Sequence, residues 1–312
     1  IDKIQPTAAN VAADVLMATD QIVISITPGT DTDAGVKQCD YQVQPFGVSA
    51  QDGDWLTYTA EKVITDEGKY TIYARTVDNA GNVSEITSLD ITIDRTAPTE
   101  PSIVPDQFLS NDQIRYTITD GIDDGVGIEK TEYRVLDKAS GAVISDWMTY
   151  TTEQTITAEG VYTIEARTLD KLGNVSNVAA VEFTIDKTPP AEIIVPDGNI
   201  SPAGGQDQDK VEITVPDAAD PADSVSYAVV VSGSGAPAAD DTWLALAGDR
   251  KISVTEEGTW DIYIKVIDPA GNSMITGPIT IMIDRTAPTE PTITPDQFLS
   301  NDQIRYTITD GI

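Results

Sequence analysis

The tripeptide Ile-Asp-Lys or Ile-Asp-Arg occurs four times in the chain, at spacings of about 90 to 100 residues. The copies begin at Ile1, Ile93, Ile185 and Ile283. Each interval ends with the same series: an acidic residue plus glycine, an aromatic residue two positions later, an alternating strand, an Asp-x-x-Gly-Asn turn and a last strand that runs into the next tripeptide. A unit of this length is the size of one small β-sandwich, so the sequence predicts a tandem array.

The repeats set the predicted module boundaries. We expect complete modules at residues 1–95, 96–187 and 188–285, and the N-terminal part of a fourth module at 286–312. The segments 96–122 and 286–312 differ only at Ser102/Thr292 and Val104/Thr294. Because these near-identical segments lie two modules apart, the array alternates between two types of module.

The amino-acid composition limits the kinds of molecule that the chain can bind. The chain has 51 acidic residues, 19 basic residues and no histidine, so it repels nucleic acid and anionic membrane surfaces. It also lacks a run of eighteen apolar residues, and neither nucleic acid nor direct membrane insertion is expected. The carboxylates serve solubility or hold divalent cations. Cys39, the only cysteine, is predicted to be a small strand residue.

Hydrophobic alternation predicts strands throughout. Residues 69–77 alternate with period two, as do 161–169 and 259–267, and a pattern of this kind is typical of a strand with one buried face. Each module offers about seven such strands, and no segment reads as a long amphipathic helix. We therefore predict an all-β fold of tandem immunoglobulin-like Greek-key β-sandwiches that form an elongated rod.

Two sets of aromatic residues recur in equivalent positions. Tyr70, Tyr162 and Trp260 each open the sixth strand, where a tyrosine corner would connect the side chain to its own backbone. A second set is formed by Trp55, Trp147 and Trp243. We interpret the second set as packing residues. The rival interpretation, as platforms for sugar stacking, requires that these rings be exposed on one face.

Aspartates are concentrated in three segments of each module. With strands A to G in the usual order, the B–C and F–G loops lie at the N-terminal pole, beside the incoming link, so these aspartates converge. They are Asp2, Asp31, Asp33 and Asp78 in the first module, Asp94, Asp120, Asp123, Asp124 and Asp170 in the second, Asp186, Asp217, Asp220, Asp223 and Asp268 in the third, and Asp284 at the last link. Carboxylates and loop carbonyls without His or Cys favour Ca²⁺. The alternative is a set of self-capped turns.

The run from Asp78 to Ser84, followed by the run from Ile91 to Pro98, resembles the bacterial Ig-like repeats of giant cell-surface adhesins, including their extender regions. The resemblance extends over essentially the whole chain. It implies that calcium stiffens the rod near module junctions, and the residues that match the motif are Asp78, Asp170, Asp268, Asp94, Asp186 and Asp284. The second module departs from the motif at Leu172, and the first link departs from it at Lys3 to Pro6.

These observations predict a non-catalytic structural extender on the bacterial cell surface, outside the cell. Its partners would be neighbouring modules of the same long chain and, in a fibre, other copies. The alternative is a ligand-binding or carbohydrate-binding Ig-like adhesion module. An enzyme is not expected, because the chain has no histidine, no Gly-x-Ser-x-Gly and no phosphate loop. Intramolecular Lys–Asn isopeptide bonds are compatible with either of these two functions.

The start of the fourth module carries apolar residues that a complete module would bury. Residues 293–309 alternate, with Phe298, Ile304, Tyr306 and Ile308 on one side. We expect them to be covered by the rest of a module or by strands of another copy.

Overall fold

The computed structural model describes residues 2–207, 209–238, 242–295, 303 and 305–310. Within these residues the regular structure is β-strand, apart from one turn of 3-10 helix at Asp197–Asn199. The chain divides into two compact units, Ile1–Ile185 and Asp186–Ile312. The module boundaries predicted from the repeats stay a prediction.

The first eight strands form one pair of sheets. They are β1 (Asn10–Ala13), β2 (Met17–Ala18), β3 (Ile22–Thr27), β4 (Val36–Pro45), β5 (Leu56–Thr57), β6 (Lys62–Ile64), β7 (Gly68–Asp78) and β8 (Thr87–Ile93). One sheet has the order β1-β3-β6 and the other the order β2-β8-β7-β4-β5. This is the strand arrangement of an immunoglobulin-like sandwich, with strands A, B and E facing strands G, F and C.

The next eight strands repeat this arrangement. They are β9 (Ser102–Pro105), β10 (Leu109–Ser110), β11 (Ile114–Thr119), β12 (Ile128–Asp137), β13 (Val143–Thr149), β14 (Gln154–Ile156), β15 (Gly160–Asp170) and β16 (Ala179–Ile185). The sheets have the orders β14-β11-β9 and β10-β16-β15-β12-β13.

The second compact unit contains a third pair of sheets. Its strands are β17 (Ile200–Ser201), β18 (Gln206–Asp207), β19 (Val211–Thr214), β20 (Ser224–Val231), β21 (Leu244–Ala245), β22 (Lys251–Val254), β23 (Gly258–Ile267) and β24 (Ser273–Ile283). The sheets have the orders β17-β19-β22 and β18-β24-β23-β20-β21. The all-β class and the tandem sandwiches are therefore confirmed.

The last two strands, β25 (Thr292–Pro295) and β26 (Tyr306–Thr309), pair with each other as an antiparallel hairpin. Tyr306 and Ile308 are exposed in it, whereas Tyr116 and Ile118, at the same places in the near-identical segment of the second sandwich, are buried. Phe298 and Ile304 lie outside the described residues.

Each sandwich has eight strands instead of the seven expected, because its first strand is divided between the two sheets. In the first sandwich β1 runs antiparallel to β3, and β2 then runs parallel to β8 in the other sheet. Asp14 lies at the crossing, where its Oδ1 accepts the main-chain N–H of Val23 at 2.9 Å. Asp106 accepts the N–H of Arg115 in the same way at 3.0 Å. Hydrophobic patterning alone does not reveal such a break.

The core lies between the sheets, where alternate residues of each long strand point inward. In β7 the inward series includes Ile72 and Ala74, both fully buried, as the period-two pattern predicts. Cys39 in β4 belongs to the same core, which confirms its reading as a small strand residue. Burial, with a contribution from the Asp40 charge, raises the pKa of the Cys39 thiol to about 11. This thiol is therefore protonated at neutral pH.

The predicted tyrosine corners are present. Tyr162 Oη donates to the main-chain oxygen of Ala158 at 3.0 Å, and Tyr70 Oη donates to that of Glu67 at 3.3 Å. In the third sandwich Trp260 replaces the tyrosine, and its Nε1 donates to the oxygen of Glu256 at 3.0 Å. These bonds anchor the start of the strand that ends at the pole aspartate.

Candidate metal centres

Three carboxylates meet at the N-terminal pole of the first sandwich. Asp2 belongs to the segment before β1, Asp31 to the loop between β3 and β4, and Asp78 to the end of β7. Each offers an oxygen within 4.8 Å of the others. Asp78 is fully buried, and the other two are half-buried. Three segments that are distant in the sequence therefore converge at this pole.

Backbone amides orient these carboxylates. Asp31 Oδ1 accepts the N–H of Gly35 at 2.6 Å, and Asp2 Oδ2 accepts the N–H of Ala34 at 3.2 Å. Gly35 has a φ of 78°, in the left-handed region that favours glycine, so the loop turns back onto its own aspartate. The loop therefore holds carboxylates from two segments side by side.

The second sandwich repeats the cluster. Asp94 from the link, Asp123 from the loop between β11 and β12, and Asp170 at the end of β15 again offer oxygens within 4.8 Å of one another. The N–H of Val126 donates to Asp94 Oδ2 at 2.8 Å, and that of Gly127 donates to Asp123 Oδ2 at 2.5 Å. Asp94 and Asp170 are both buried.

Gly125 permits the approach of Asp94 to this loop. A Cβ atom at Gly125 would lie 1.9 Å from Asp94 Oδ2, far inside contact distance. Gly121 has an equivalent role for the backbone, because its Cβ would lie 1.9 Å from the main-chain oxygen of Thr99 in the link. The loop and the link are therefore packed so closely that a side chain at either Gly121 or Gly125 would collide with the link.

The turn after β15 combines self-capping with membership of the cluster. Asp170 Oδ1 accepts the N–H groups of Leu172 and Asn174, both at 2.8 Å, as expected of a self-capped turn. Asp170 Oδ2 accepts the side-chain amide of Asn174 at 2.7 Å. Each carboxylate oxygen has more than one lone pair, so these bonds leave acceptor capacity facing Asp94 and Asp123. Asp170 can therefore cap its own turn and also serve as a metal ligand.

The equivalent turn of the first sandwich, which follows β7, keeps Asp78 ionised. Burial pushes the pKa of Asp78 upward, but hydrogen bonds from the Asn82 side chain and from the backbone of Asn82 and Gly81 outweigh it. The pKa of Asp78 consequently lies below its usual value. A buried anion held beside two other carboxylates is a favourable ligand for a hard cation.

The asparagine that ends each turn was not recognised as a functional residue from the sequence. Its side-chain amide donates to the turn aspartate and also to the main-chain oxygen of the link aspartate, in all three sandwiches. The second contact measures 3.5 Å from Asn82 to Asp2, 3.3 Å from Asn174 to Asp94 and 2.8 Å from Asn272 to Asp186. Its recurrence in Asp-x-x-Gly-Asn was the signal that could have identified it.

The predicted residues of the third sandwich are arranged differently. Asp186 and Asp268 are linked through Asn272, and Asp220 caps its own turn by accepting the N–H of Ala222 at 2.9 Å. Burial raises the pKa of Asp223, and the neighbouring Asp220 and Asp268 charges add to this effect. Within the described residues, groups of three carboxylates within 4.8 Å occur only at the first two poles.

Four other predicted residues lie outside the two clusters. Asp33, Asp120 and Asp124 have exposed side chains in the pole loops. Asp284 is also exposed, and its Oδ1 accepts the N–H of Thr286 at 2.8 Å. Side-chain direction inside a loop decides which of several neighbouring aspartates faces the link, and this direction is not encoded in spacing.

The three recurrent tryptophans are half-buried on the outer face of the five-stranded sheets, not in the cores. Each ring has a cation over it, which is a favourable contact for an indole. The contacts place Arg75 4.0 Å from the Trp55 ring centre, Arg167 and Arg134 4.1 Å and 4.8 Å from that of Trp147, and Lys265 5.0 Å from that of Trp243. The rings therefore pack, but against basic side chains of the sheet.

Comparison with protein families gives two matches. The family described as bacterial Ig-like domain (group 3) matches residues 146–251, and a second bacterial Ig-like domain family matches residues 55–95 and 106–159. The chain carries bacterial Ig-like domains. Domains of this kind are generally non-catalytic and typically extracellular or surface-exposed, and they fit a structural or adhesion module.

Other comparisons add little to the assignment of bacterial Ig-like domains. No curated protein matches the chain. A crystal structure of the chicken CNTN1 FN1–FN3 domains is 12% identical, with 89% of this chain and 98% of that chain covered, at a TM-score of 0.30. The assignment of the fold follows from the strand pairing. No helix in the described part of the chain is long and apolar enough to cross a membrane.

Proposed function

We propose that the chain is a non-catalytic extender of a bacterial surface adhesin or fibre, and that calcium stiffens its module junctions. The observation that carries the proposal is the position of Asp94. This residue belongs to the link that leaves the first sandwich, and its carboxylate lies with Asp123 and Asp170 of the second. An ion bound there would connect one sandwich to the next.

The chemistry of the clusters supports calcium. Ca²⁺ takes six to eight oxygen ligands at about 2.3–2.6 Å, from carboxylates, carbonyls and water. Asp94, Asp123 and Asp170 would hold the ion, and the bound ion would supply the positive charge that three adjacent carboxylates lack. Transition metals would favour His or Cys ligands, and the cluster contains neither.

A cleft of about 370 Å³ gives access to the second cluster from solvent. It is lined by Glu67 and Lys69 of the first sandwich and by Asp94, Asp123 and Asp124 at the pole of the second. A cation can therefore enter without unfolding of either sandwich. The acidic lining raises the local concentration of cations.

The link also has contacts that need no metal. Arg95 donates to the main-chain oxygens of Asp20 and Thr65 at 2.7 Å and 2.8 Å, and Thr96 Oγ1 donates to Glu67 Oε1 at 2.5 Å. The Thr96 hydroxyl, followed by smaller contributions from Arg95, holds the pKa of Glu67 below its usual value. A link that is held in place by such contacts would limit the motion of neighbouring sandwiches, as a spacer requires.

Carbohydrate binding is the weaker alternative. Sugar rings stack on open indole faces, whereas Trp55, Trp147 and Trp243 each have a cation placed over the ring. A ligand that stacked on these rings would have to displace an arginine or lysine.

Calcium titration with and without a chelator tests the proposal. A ligand that binds only the native state stabilises it by RT ln(1 + [L]/Kd), about 2.7 kcal/mol at a hundredfold excess over Kd. We expect a higher melting temperature with calcium and, in small-angle scattering, a narrower distribution of end-to-end distances. Superimposable melting curves with calcium and with chelator would refute calcium binding at the junctions.

A further inference from the structure

The pole of the third sandwich is built from a different loop. The first two loops contain Gly35 and Gly127, whose φ values of 78° and 81° let their amides reach Asp31 and Asp123. The corresponding loop of the third sandwich, residues 215–223, contains no glycine. A loop without left-handed glycine cannot make the same turn around an aspartate at low cost.

Arg250 lies in this pole. It has a φ of 57°, which is unusual for a residue with a side chain, and it immediately precedes β22. Its Nε donates to the main-chain oxygen of Val215 at 2.9 Å, and a second guanidinium nitrogen donates to that of Pro216. The same Nε is 3.2 Å from Asp217 Oδ1.

The two carbonyl bonds, more than the ion pair, fix the guanidinium. The Asp217 side chain is 90% exposed, and an exposed ion pair contributes little. Main-chain oxygens at a loop are ligands that a hard cation uses, and Arg250 already occupies those of Val215 and Pro216.

The position of Arg250 opposes a second cation. Arg250 lines one cleft together with Asp217, Asp220 and Asp223. Its positive charge lies beside the carboxylate of Asp217 and repels any divalent ion that enters the cleft.

We propose that Arg250 is a built-in cation that replaces calcium at the pole of the third sandwich, so that calcium occupies the first two poles and not the third. The inference rests on the proposed function, since it assigns the metal dependence of the individual poles. Poles that bind calcium and a pole that does not would then occur in one chain.

Strand register identifies the matching positions in the other sandwiches. Val254 pairs with Val211, as Ile64 pairs with Ile22 and Ile156 with Ile114. The residues four positions before Val254, Ile64 and Ile156 are Arg250, Ala60 and Thr152, respectively. The first two poles therefore have an uncharged residue where the third has a guanidinium, which provides reciprocal variants.

Calorimetric titration of the 312-residue chain with Ca²⁺ tests the inference. Wild type should bind two ions. Arg250→Gly removes the guanidinium and suits the left-handed φ, so it should add a third site or tighten third-pole binding by about tenfold or more. Thr152→Arg should remove one of the two sites. Lys251→Ala, which deletes a neighbouring exposed charge, should leave the stoichiometry at two.

The outcomes separate the inference from the proposed function. Three equivalent sites in wild type, or two sites in both Arg250→Gly and Thr152→Arg, would overturn the role of Arg250 and leave junction calcium intact. Wild type that binds no calcium would overturn the proposed function itself. If Arg250→Gly does not fold, Thr152→Arg decides alone, because it changes only the first compact unit.

Discussion

Asn174 and Asp94 are 80 residues apart in the chain, and the side-chain amide nitrogen of Asn174 lies 3.3 Å from the main-chain oxygen of Asp94. The same nitrogen donates to Asp170 Oδ2 at 2.7 Å. One amide thus joins the link to the turn that closes β15, independently of any ion. The contact places Asp94 beside Asp123 and Asp170 without the help of an ion.

Replacement of Asn174 by Ala should loosen this junction. Loss of two hydrogen bonds, each worth about 0.5–1.5 kcal/mol net, should lower the free energy of unfolding by about 1–3 kcal/mol. Denaturant melts in chelator measure the effect. Asn177→Ala, three residues later and exposed, is the matched control and should change stability little. Equal melts for the two variants would show that the amide has no structural role.

Asp123→Asn should weaken calcium binding at the second pole. The variant keeps the shape of the side chain and removes one of three anionic ligands, so Kd there should rise at least about tenfold. Asp124→Asn is the control, because this neighbouring side chain is exposed and outside the cluster. Calorimetry on both variants measures the difference. A larger loss in Asp124→Asn would mean that the wrong aspartate has been assigned.

Gly125→Ala should destabilise the first compact unit by about 1–3 kcal/mol, as overpacking does. The new Cβ would meet Asp94 Oδ2 at 1.9 Å and push the link away from the loop. Thermal melting measures the loss. Gly53→Ala is the comparison, since a Cβ there meets nothing within 4 Å. An unchanged melting temperature in Gly125→Ala would contradict the close approach.

Arg95→Ala should increase hydrogen exchange at the link. The two carbonyl bonds of its guanidinium hold the chain where it leaves β8, and their loss should reduce local protection at Thr96 by about tenfold, equivalent to about 1.4 kcal/mol. Arg285→Ala makes the same chemical change at the last link and should leave exchange at Thr96 unaltered. Exchange at Thr96 that is the same in both variants would argue against this clamp.

Acid should remove the contribution of the Asp78 carboxylate to the stability of the folded protein. Its pKa in the folded protein is lowered, so its stabilising effect is complete above the usual value near 3.8 and is lost as the pH falls through the lower folded value. In chelator, the difference in melting temperature between wild type and Asp78→Asn should therefore shrink as the pH falls below about 4. Asp66→Asn, at an exposed turn, is the reference. A constant difference across this range would mean that the Asp78 hydrogen bonds do not favour its charged form.

Sequence reasoning recovered the elements with strong period-two patterns. The strand expected at 69–77 is observed as Gly68–Asp78, and the one expected at 161–169 as Gly160–Asp170. Both lie in sheet interiors with one face in the core, where hydrophobic alternation is directly visible. The short strands β2, β10 and β18 were not anticipated, because two residues carry no period.

The candidate sites could be predicted only in part. Topology brings Asp94, Asp123 and Asp170 together, and a count of loop aspartates is enough to suggest this. The same count also includes Asp120 and Asp124, whose side chains are exposed to solvent. Arg250 was missed because it comes from a fourth segment, and its effect depends on which carbonyls lie within its reach.

The parallel pairing of β2 with β8 has a mechanical consequence. The chain enters the first sandwich near one end of this pair and leaves it at the other, so tension applied through the termini would slide the two strands past each other. The bonds from Thr92 N to Leu16 O and from Asp94 N to Ala18 O, 2.9 Å and 3.0 Å long, lie across that direction. Such bonds are loaded in shear and must fail together, whereas a hairpin pulled from its open end unzips one bond at a time. The third sandwich has the same arrangement in β18 and β24.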